Sequence, residues 1–432
     1  MGPIPTSLLS LLTLNHMTPL QRIAGILFFV SQTVAAAENL LVDHNDPLII
    51  DPKLTLQQVV ETTFKQYPQG SMITAMADET KALQRRSNSL IAGYPLIYLQ
   101  WIDDRVFNDR GQIEAQTGYQ VPVWMWNQRA ASRSVAKESE KSTAAFAAAL
   151  KHEIAGLVRD SLWNLELVEN RHQLAQQIYE VSQKLYAAVK RRVELGDLAR
   201  SDQLLAESDM LEKQSLLTVA EAEVMHARKA YSNLTRIEKA PQSFEEAQSE
   251  IAEISDRHPA ILAATSFVDR AQAEVDFTRL SKQGNQPTIL VGTQHDRAVK
   301  GESMNNEANI VVQIPIGGDA WNAPAVAQSN LNLTQKMVDR ATLLRQLEKS
   351  LHEAMHNLEV DRATLKIAEQ RKTIAETHLR MSKLAFESGE IQLIDYLKIL
   401  SNAQAAIRDA QERAINLQRD IASYNQVVGV TP

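Results

Sequence analysis

The chain is written twice, at a fixed offset of 193 residues. Pro122 pairs with Pro315, Gly196 with Gly389, Asp202 with Asp395 and Tyr231 with Tyr424, with no gap from the first pair to the last. A duplication this long requires each copy to be a structural unit that packs against its twin. Each copy holds two short alternating segments, then a very long helical segment, a glycine and another helix. That order suits a protein that crosses a membrane with strands and a compartment with helices.

Residues 1–37 contain no acid and one basic residue, Arg22, and carry the apolar run Ile23–Val30 before Ala35, Ala36 and Ala37. This pattern reads as a secretory signal peptide cut after Ala37, with translation starting at Met1 or Met17. The run is too short for a transmembrane helix, and no later stretch is apolar for 18 residues. Losing Arg22 takes the formal charge from −7 to −8. An acidic chain without a Lys/Arg cluster is a poor nucleic-acid binder. The chain has no cysteine, which excludes disulfides, thiolate metal sites, cysteine catalysis and a lipid on an N-terminal cysteine.

A polar arm, 38–52, follows the signal. Repeat 1 then spans 53–240 and repeat 2 spans 243–432. Thr55 can cap a short helix, Leu56–Gln66, and Pro68 starts another that reaches about Ile91. In repeat 2, Ser243 and Glu246 form a capping-box pattern, and Pro259 opens a helix that fades near Gly284.

The alternating segments come next. Ile113, Ala115, Thr117, Tyr119, Val121 and Val123 share one face, against Gln112, Glu114, Gln116, Gly118 and Gln120. Repeat 2 keeps the phase, with Ala308, Ile310, Val312, Ile314 and Ile316 against Glu307, Asn309, Val311 and Gln313. Period two means strand. Each has a partner strand before it, so hairpins are expected at about 95–123 and 288–316. Soluble sheets alternate in the same way. The tryptophans favour a membrane: Trp101, Trp124, Trp126 and Trp321 sit in or beside the strands, as an interfacial belt does.

Helices are predicted over 127–195 and 198–234, and again over 322–388 and 391–428. Asn127 and Asn322 are the candidate N-caps, and Gly196 and Gly389 the αL caps. The first helix would run roughly 100 Å at the α-helical rise. Helices of this length form coiled coils, here along a seam through Leu150, Ile154, Leu157, Leu165 and Val168.

Two motifs carry a family resemblance. They read Arg192-Val-Glu-Leu-Gly196-Asp-Leu-Ala-Arg-Ser-Asp202 and Leu384-Ala-Phe-Glu-Ser-Gly389-Glu-Ile-Gln-Leu-Ile-Asp395. With the duplication and the strand hairpins, they make the chain resemble the TolC family of outer-membrane efflux channels over essentially its whole mature length. The joints Val121-Pro-Val123 and Ile314-Pro-Ile316 resemble those of the heavy-metal, CzcC-like branch. The resemblance implies an α+β membrane protein with an internal two-fold repeat, assembled as a homotrimer. Four strands per chain would make a 12-strand outer-membrane β-barrel, continuous with a long α-helical coiled-coil tunnel across the periplasm. Physics agrees that four strands must oligomerise: closed transmembrane barrels begin at about eight, and open sheet edges are not tolerated in lipid.

The implied partners are a periplasmic membrane fusion (adaptor) protein, an inner-membrane pump of the RND type and outer-membrane lipid of a Gram-negative bacterium. The implied function is a passive exit duct of a tripartite efflux system, with no catalysis and no cofactor. The exit channel of a type I protein secretion system and a periplasmic coiled-coil adaptor are the alternatives.

The same resemblance places the periplasmic gate at Asp202, Asp395 and Lys398. It places adaptor docking at the helix tips Gly196, Leu198, Gly389 and Ile391. The family's basic latch, two residues after the second glycine, is Ile391 here, and a further acid three after Asp395 is Lys398. Asp202 and Asp395 also read as N-terminal-turn acids that interact with a helix dipole, worth about 0.3–1 kcal/mol each.

His352-Glu-Ala-Met-His356 is an H-E-x-x-H string, the spacing of zinc proteases. A catalytic zinc needs a third protein ligand, and none follows at a workable distance on the continuous helix. These histidines read as a polar stripe on a solvated face. Asp43, His44 and Asp46 read as solvated arm residues.

Overall fold

A computed structural model describes residues 48–432. The expected signal peptide and most of the arm, with Asp43, His44 and Asp46, lie outside the described residues.

The duplication is visible from the second helix of each copy's expected pattern onward, and α1 has no helical counterpart in repeat 2 among the described residues. The end of the arm forms β1 (Ile49–Asp51), and repeat 1 holds α1 (Leu56–Gln66), α2 (Gly70–Asn88), β2 (Leu96–Asp103), β3 (Ile113–Pro122), α3 (Gln128–Glu194) and α4 (Arg200–Thr235). Repeat 2 holds α5 (Pro259–Ser281), β5 (Thr288–Arg297), β6 (Asn305–Gln313), α6 (Asp319–Glu387) and α7 (Leu393–Val427), and β4 (Lys239–Pro241) joins the two. The long helices end at 194 and 387 and resume at 200 and 393, each pair 193 apart.

Thr55 caps α1 as predicted: its Oγ1 accepts from Gln58 N, and Gln58 Oε1 accepts from Thr55 N. The matching capping box in repeat 2 does not form. Residues 243–251 are irregular, because the local carboxylate is drawn elsewhere: Glu246 binds the buried Arg159 of α3. Phe244 likewise packs on Trp163, ring centroids 4.6 Å apart.

The asparagine caps are also corrected. Asn127 sits just before α3 but in the left-handed region, and its side chain makes no capping hydrogen bond. The first helical residue, Gln128, instead folds back over the joint, its Oε1 accepting from Met125 N ahead of the helix. In repeat 2 the helix begins earlier, behind Gly318 at φ 84°. Asn322 therefore lies inside α6, where its Nδ2 donates to the carbonyls of Thr278 and Arg279 at the end of α5. Its repeat partner Arg129 binds the Ser87 and Asn88 carbonyls at the end of α2 in the same way. Both residues lash a long helix to the shorter one before it.

α3 has 67 residues and α6 has 69, so each is roughly 100 Å long. Each reverses into its return helix, giving hairpins α3–α4 and α6–α7. The hairpins meet along α3 and α7, where Arg171 grips Glu412 with two hydrogen bonds of 2.9 and 3.1 Å. The main core lies midway along α3, where Leu150, Ile154, Val158 and Leu162 pack on Val59 and Val60 of α1 and Tyr231 of α4. The seam of Leu150, Ile154, Leu165 and Val168 is buried as the spacing requires, whereas Leu157 is exposed. Among the described residues, no helix is long and apolar enough to cross a membrane.

Candidate functional site: a two-faced sheet and a double hairpin tip

The four remaining strands form one antiparallel sheet in the order β2-β3-β5-β6, joined between the copies by β3 and β5. The pairing register sorts the side chains into two faces. Ile97, Tyr119, Val291 and Ile310 are opposite one another across all four strands, as are Leu99, Thr117, Thr293 and Ala308. On the other face, Gln100, Gln116, Gln294 and Glu307 line up, and Gln116 Nε2 donates to Glu114 and Gln294.

The apolar face is the bare one: Ile310 is 71 % exposed and Val312 57 %, against 37 % for Val311 on the polar face. This is the sequence phase, residue by residue. Gly118 and Gly292 face each other at the joint between copies. A Cβ on Gly292 would meet the Thr117 carbonyl oxygen at 2.0 Å, so only glycine fits there. Among the described residues β2 and β6 have no partner on their outer edges.

The tryptophans mark both ends of the strands. Trp101 is exposed near the far end of β2, with its Nε1 donating to Asp103. Trp126 and Trp321 are exposed at the joints with the long helices. Trp124 is half-buried there and donates to the Ser89 carbonyl. The fifth, Trp163, is a core residue of α3.

At the other end of the helices, Gly196 and Gly389 adopt φ 85° and 80°. Asp197 N donates to Arg192 O and Glu390 N to Ala385 O, which completes the left-handed helix end expected of each glycine. The return helices start two residues later than the spacing predicts. Leu198 and Ile391 therefore sit in the turns, half-buried against a cluster of Val189, Ala206, Phe386, Leu393, Tyr396 and Leu400. That cluster draws on both copies, so the two tips pack together.

Asp202 lies in the first turn of α4, and its Oδ2 accepts from Ala199 N. Asp395, the repeat partner, is exposed in the first turn of α7. Among the described residues it has no hydrogen bond or ion pair. Lys398 is exposed one turn further on.

His352 and His356 are exposed on α6, and Glu353 pairs with Lys349 at 3.6 Å. Among the described residues no group of three His, Asp or Glu side chains is arranged to hold a metal ion.

Three clusters escaped sequence reading: Arg159 with Glu246, His152 with His258, and an aromatic group at the tips. In the last, Phe386 stacks on Tyr396 with centroids 5.0 Å apart and planes 5° apart. The Arg192 guanidinium lies 5.5 Å from the Phe386 ring centroid, and its Nη1 donates to Phe386 O. A signal for it existed. Phe386 and Tyr396 match Val193 and Gln203 at the repeat offset, so the aromatics are peculiar to one copy.

No family model matches the chain. The cobalt-zinc-cadmium resistance protein CzcC of Cupriavidus metallidurans is 24 % identical over 316 residues, which cover 69 % of this chain and 72 % of that protein. The CmeC outer membrane channel of Campylobacter jejuni superposes with a TM-score of 0.67 at 16 % identity, over 87 % of this chain and 86 % of that one. The outer membrane protein VceC of Vibrio cholerae gives 0.66 at 14 % identity, over 87 % and 97 %. The open state of the Neisseria gonorrhoeae MtrE channel gives 0.64 at 14 %, over 90 % and 92 %. The chain is thus a homologue of CzcC with the fold of the TolC-type outer-membrane efflux channels.

Proposed function

We propose that the protein is a passive exit duct, the outer-membrane member of a tripartite efflux system. Three chains would close their sheets into a 12-strand barrel and their helical hairpins into one tunnel. The carrying observation is the sheet: a bare apolar face, a polar face and two open edges, set at one end of helices roughly 100 Å long. An open edge cannot face lipid, and joining β2 of one chain to β6 of the next removes it. The bundle would cross the periplasm to an adaptor docked at the Gly196, Leu198, Gly389 and Ile391 tips. An inner-membrane pump, of the RND type by the resemblance, would supply the energy. The likeness to CzcC makes divalent metal ions the cargo to test first.

The experiment is reconstitution. Protein purified from outer membranes should run as a trimer in mild detergent and conduct ions in planar bilayers. A monomer that washes off membranes with carbonate would overturn the reading.

A further inference from the structure

We propose that His226 of one copy meets His352 and His356 of the next, and that the three imidazoles bind a first-row divalent cation such as zinc at each boundary between copies. The inference rests on the three-chain duct reading. It supplies the third ligand that the H-E-x-x-H string lacks within its own chain.

The long helices of one chain lie side by side in the order α4, α3, α7, α6. Both outer helices carry exposed apolar residues: Leu211 and Val219 on α4, Ile367 and Ile374 on α6. Closing three chains into a ring sets α6 of one copy beside α4 of the next. The duplication supplies the register. α6 repeats α3 and α4 repeats α7, so the contact of α3 with α7 inside the chain is the template for the contact between copies. Leu174 is buried where it lines that inner contact, and its repeat partner Ile367 is exposed.

Two inner contacts set the level. Gln426 packs on Gly156, its amide carbon 2.9 Å from where a Cβ would stand, and Glu412 pairs with Arg171. Arg419 lies midway between these two α7 residues and so is level with Trp163 and Asn164 of α3. It also pairs with Asp160, one turn away, at 3.6 Å. Trp163 faces the same contact, since it lines one cavity with Gln418 of α7. At the 193-residue offset the repeat partner of Arg419 is His226, that of Trp163 is His356 and that of Asp160 is Glu353. Arg159, which reaches Gln426 across the inner contact, has His352 as its repeat partner. The three histidines are exposed in the single chain. In the ring they face one another.

The chemistry suits a borderline metal ion. Two imidazoles four residues apart share one face of a helix and are one protein ligand short of an open zinc site. A neutral imidazole from the neighbouring helix completes it, and water takes the fourth position. Glu353 holds the other N–H of His226 and fixes its ring, the usual second contact of a metal-bound histidine. Its ion pair with Lys349 is exposed and weak enough to yield. Imidazole ligands favour zinc, nickel or copper over calcium and magnesium, which prefer oxygen.

The test uses full-length protein purified through a tag without histidine, stripped with EDTA and titrated with zinc chloride in mild detergent. The trimer should bind one zinc ion per chain and come apart at a higher temperature with zinc than without. His226→Ala, His352→Ala and His356→Ala should each remove the site, and Glu353→Gln should weaken binding about 10–100-fold. Trimers that mix His226→Ala chains with His356→Ala chains should regain one site, because one boundary then keeps every ligand. Binding that survives His226→Ala, or mixed trimers without a site, would overturn the shared site. A trimer that binds no zinc overturns the site and leaves the duct reading standing, whereas a protein that stays monomeric with and without zinc overturns both.

Discussion

Arg159 and Glu246 are joined by two parallel hydrogen bonds, Nε to Oε2 and Nη2 to Oε1, both 2.7 Å long. Arg159 is only 3 % exposed. Its remaining nitrogen reaches Gln426 Oε1 and the Val430 carbonyl. One side chain in the middle of α3 thereby fixes both the entry to repeat 2 and the segment after α7. Breaking a buried pair leaves one charge uncompensated, at a cost of about 3–5 kcal/mol. Glu246→Ala should lose that much in denaturant titrations of the detergent-solubilised protein. Arg159→Met with Glu246→Leu should lose far less, because no charge is left behind.

The same region should make stability depend on pH. His152 is buried, with Nε2 on the Gln426 carbonyl and Nδ1 on the Thr431 hydroxyl. The groups facing it are the His258 ring, with centroids 5.2 Å apart and its own pKa lowered by burial, and the Arg159 guanidinium. The carboxylate of Glu246 pairs with Arg159 rather than with His152. Burial, then His258, pushes the His152 pKa down to about 4, against a backbone contact to Gln426 that raises it. The folded state then binds fewer protons than the unfolded chain between about pH 4 and 6.5. Its contribution is complete above about 6.5 and is lost as pH falls through 4, by about 3 kcal/mol in all. Asp420, pushed up to about 7 by burial and by Asp361, slopes the other way. The His152 share is therefore read as a difference: His152→Asn should flatten the acid side of the parent's curve of melting temperature against pH.

The two faces of β6 should respond oppositely to charge. Val312 lies opposite Ile289 on the bare apolar face, and Gln313 lies opposite Thr288 on the polar one. Val312→Arg should cost about 2–4 kcal/mol if its level is the bilayer midplane, seen as lost trimer in outer membranes. Gln313→Arg should leave the yield near that of the parent. Equal losses would remove the barrel assignment.

Much of this architecture could be read from the chain because periodicity and duplication are long-range signals that survive local variation. Strand phase, helix length and the glycine reversals all follow from repeated patterns. The misreadings are local, and two of them share one cause, which is a tertiary partner displacing a local one. Glu246 leaves a capping box for Arg159, and Asn322 leaves a cap for two carbonyls of α5. The aromatic group at the tips was hidden for the opposite reason: Phe386 and Tyr396 break the repeat, and a search for matching residues passes over the positions where the copies differ.

Asp202 and Asp395 occupy equivalent places in the repeat, yet the structure predicts different roles for them. Asp202 is engaged: its carboxylate accepts from Ala199 N and closes the first turn of α4. Its removal should cost about 0.5–2 kcal/mol of stability, as lost helix-start hydrogen bonds do. It should have little effect on ion selectivity, because the charge is already directed at its own backbone. Asp395 is exposed and has no such contact among the described residues. In a trimer, three copies near a narrow opening would favour cations there. Lys398, one turn along the same helix face, would blunt the effect. Asp395→Ala should therefore lower cation over anion permeability in a salt gradient across a planar bilayer while leaving the melting temperature near the parent's. Lys398→Ala should raise it. If Asp202→Ala alters selectivity as strongly as Asp395→Ala, the two acids share one gate and the division drawn from Ala199 fails.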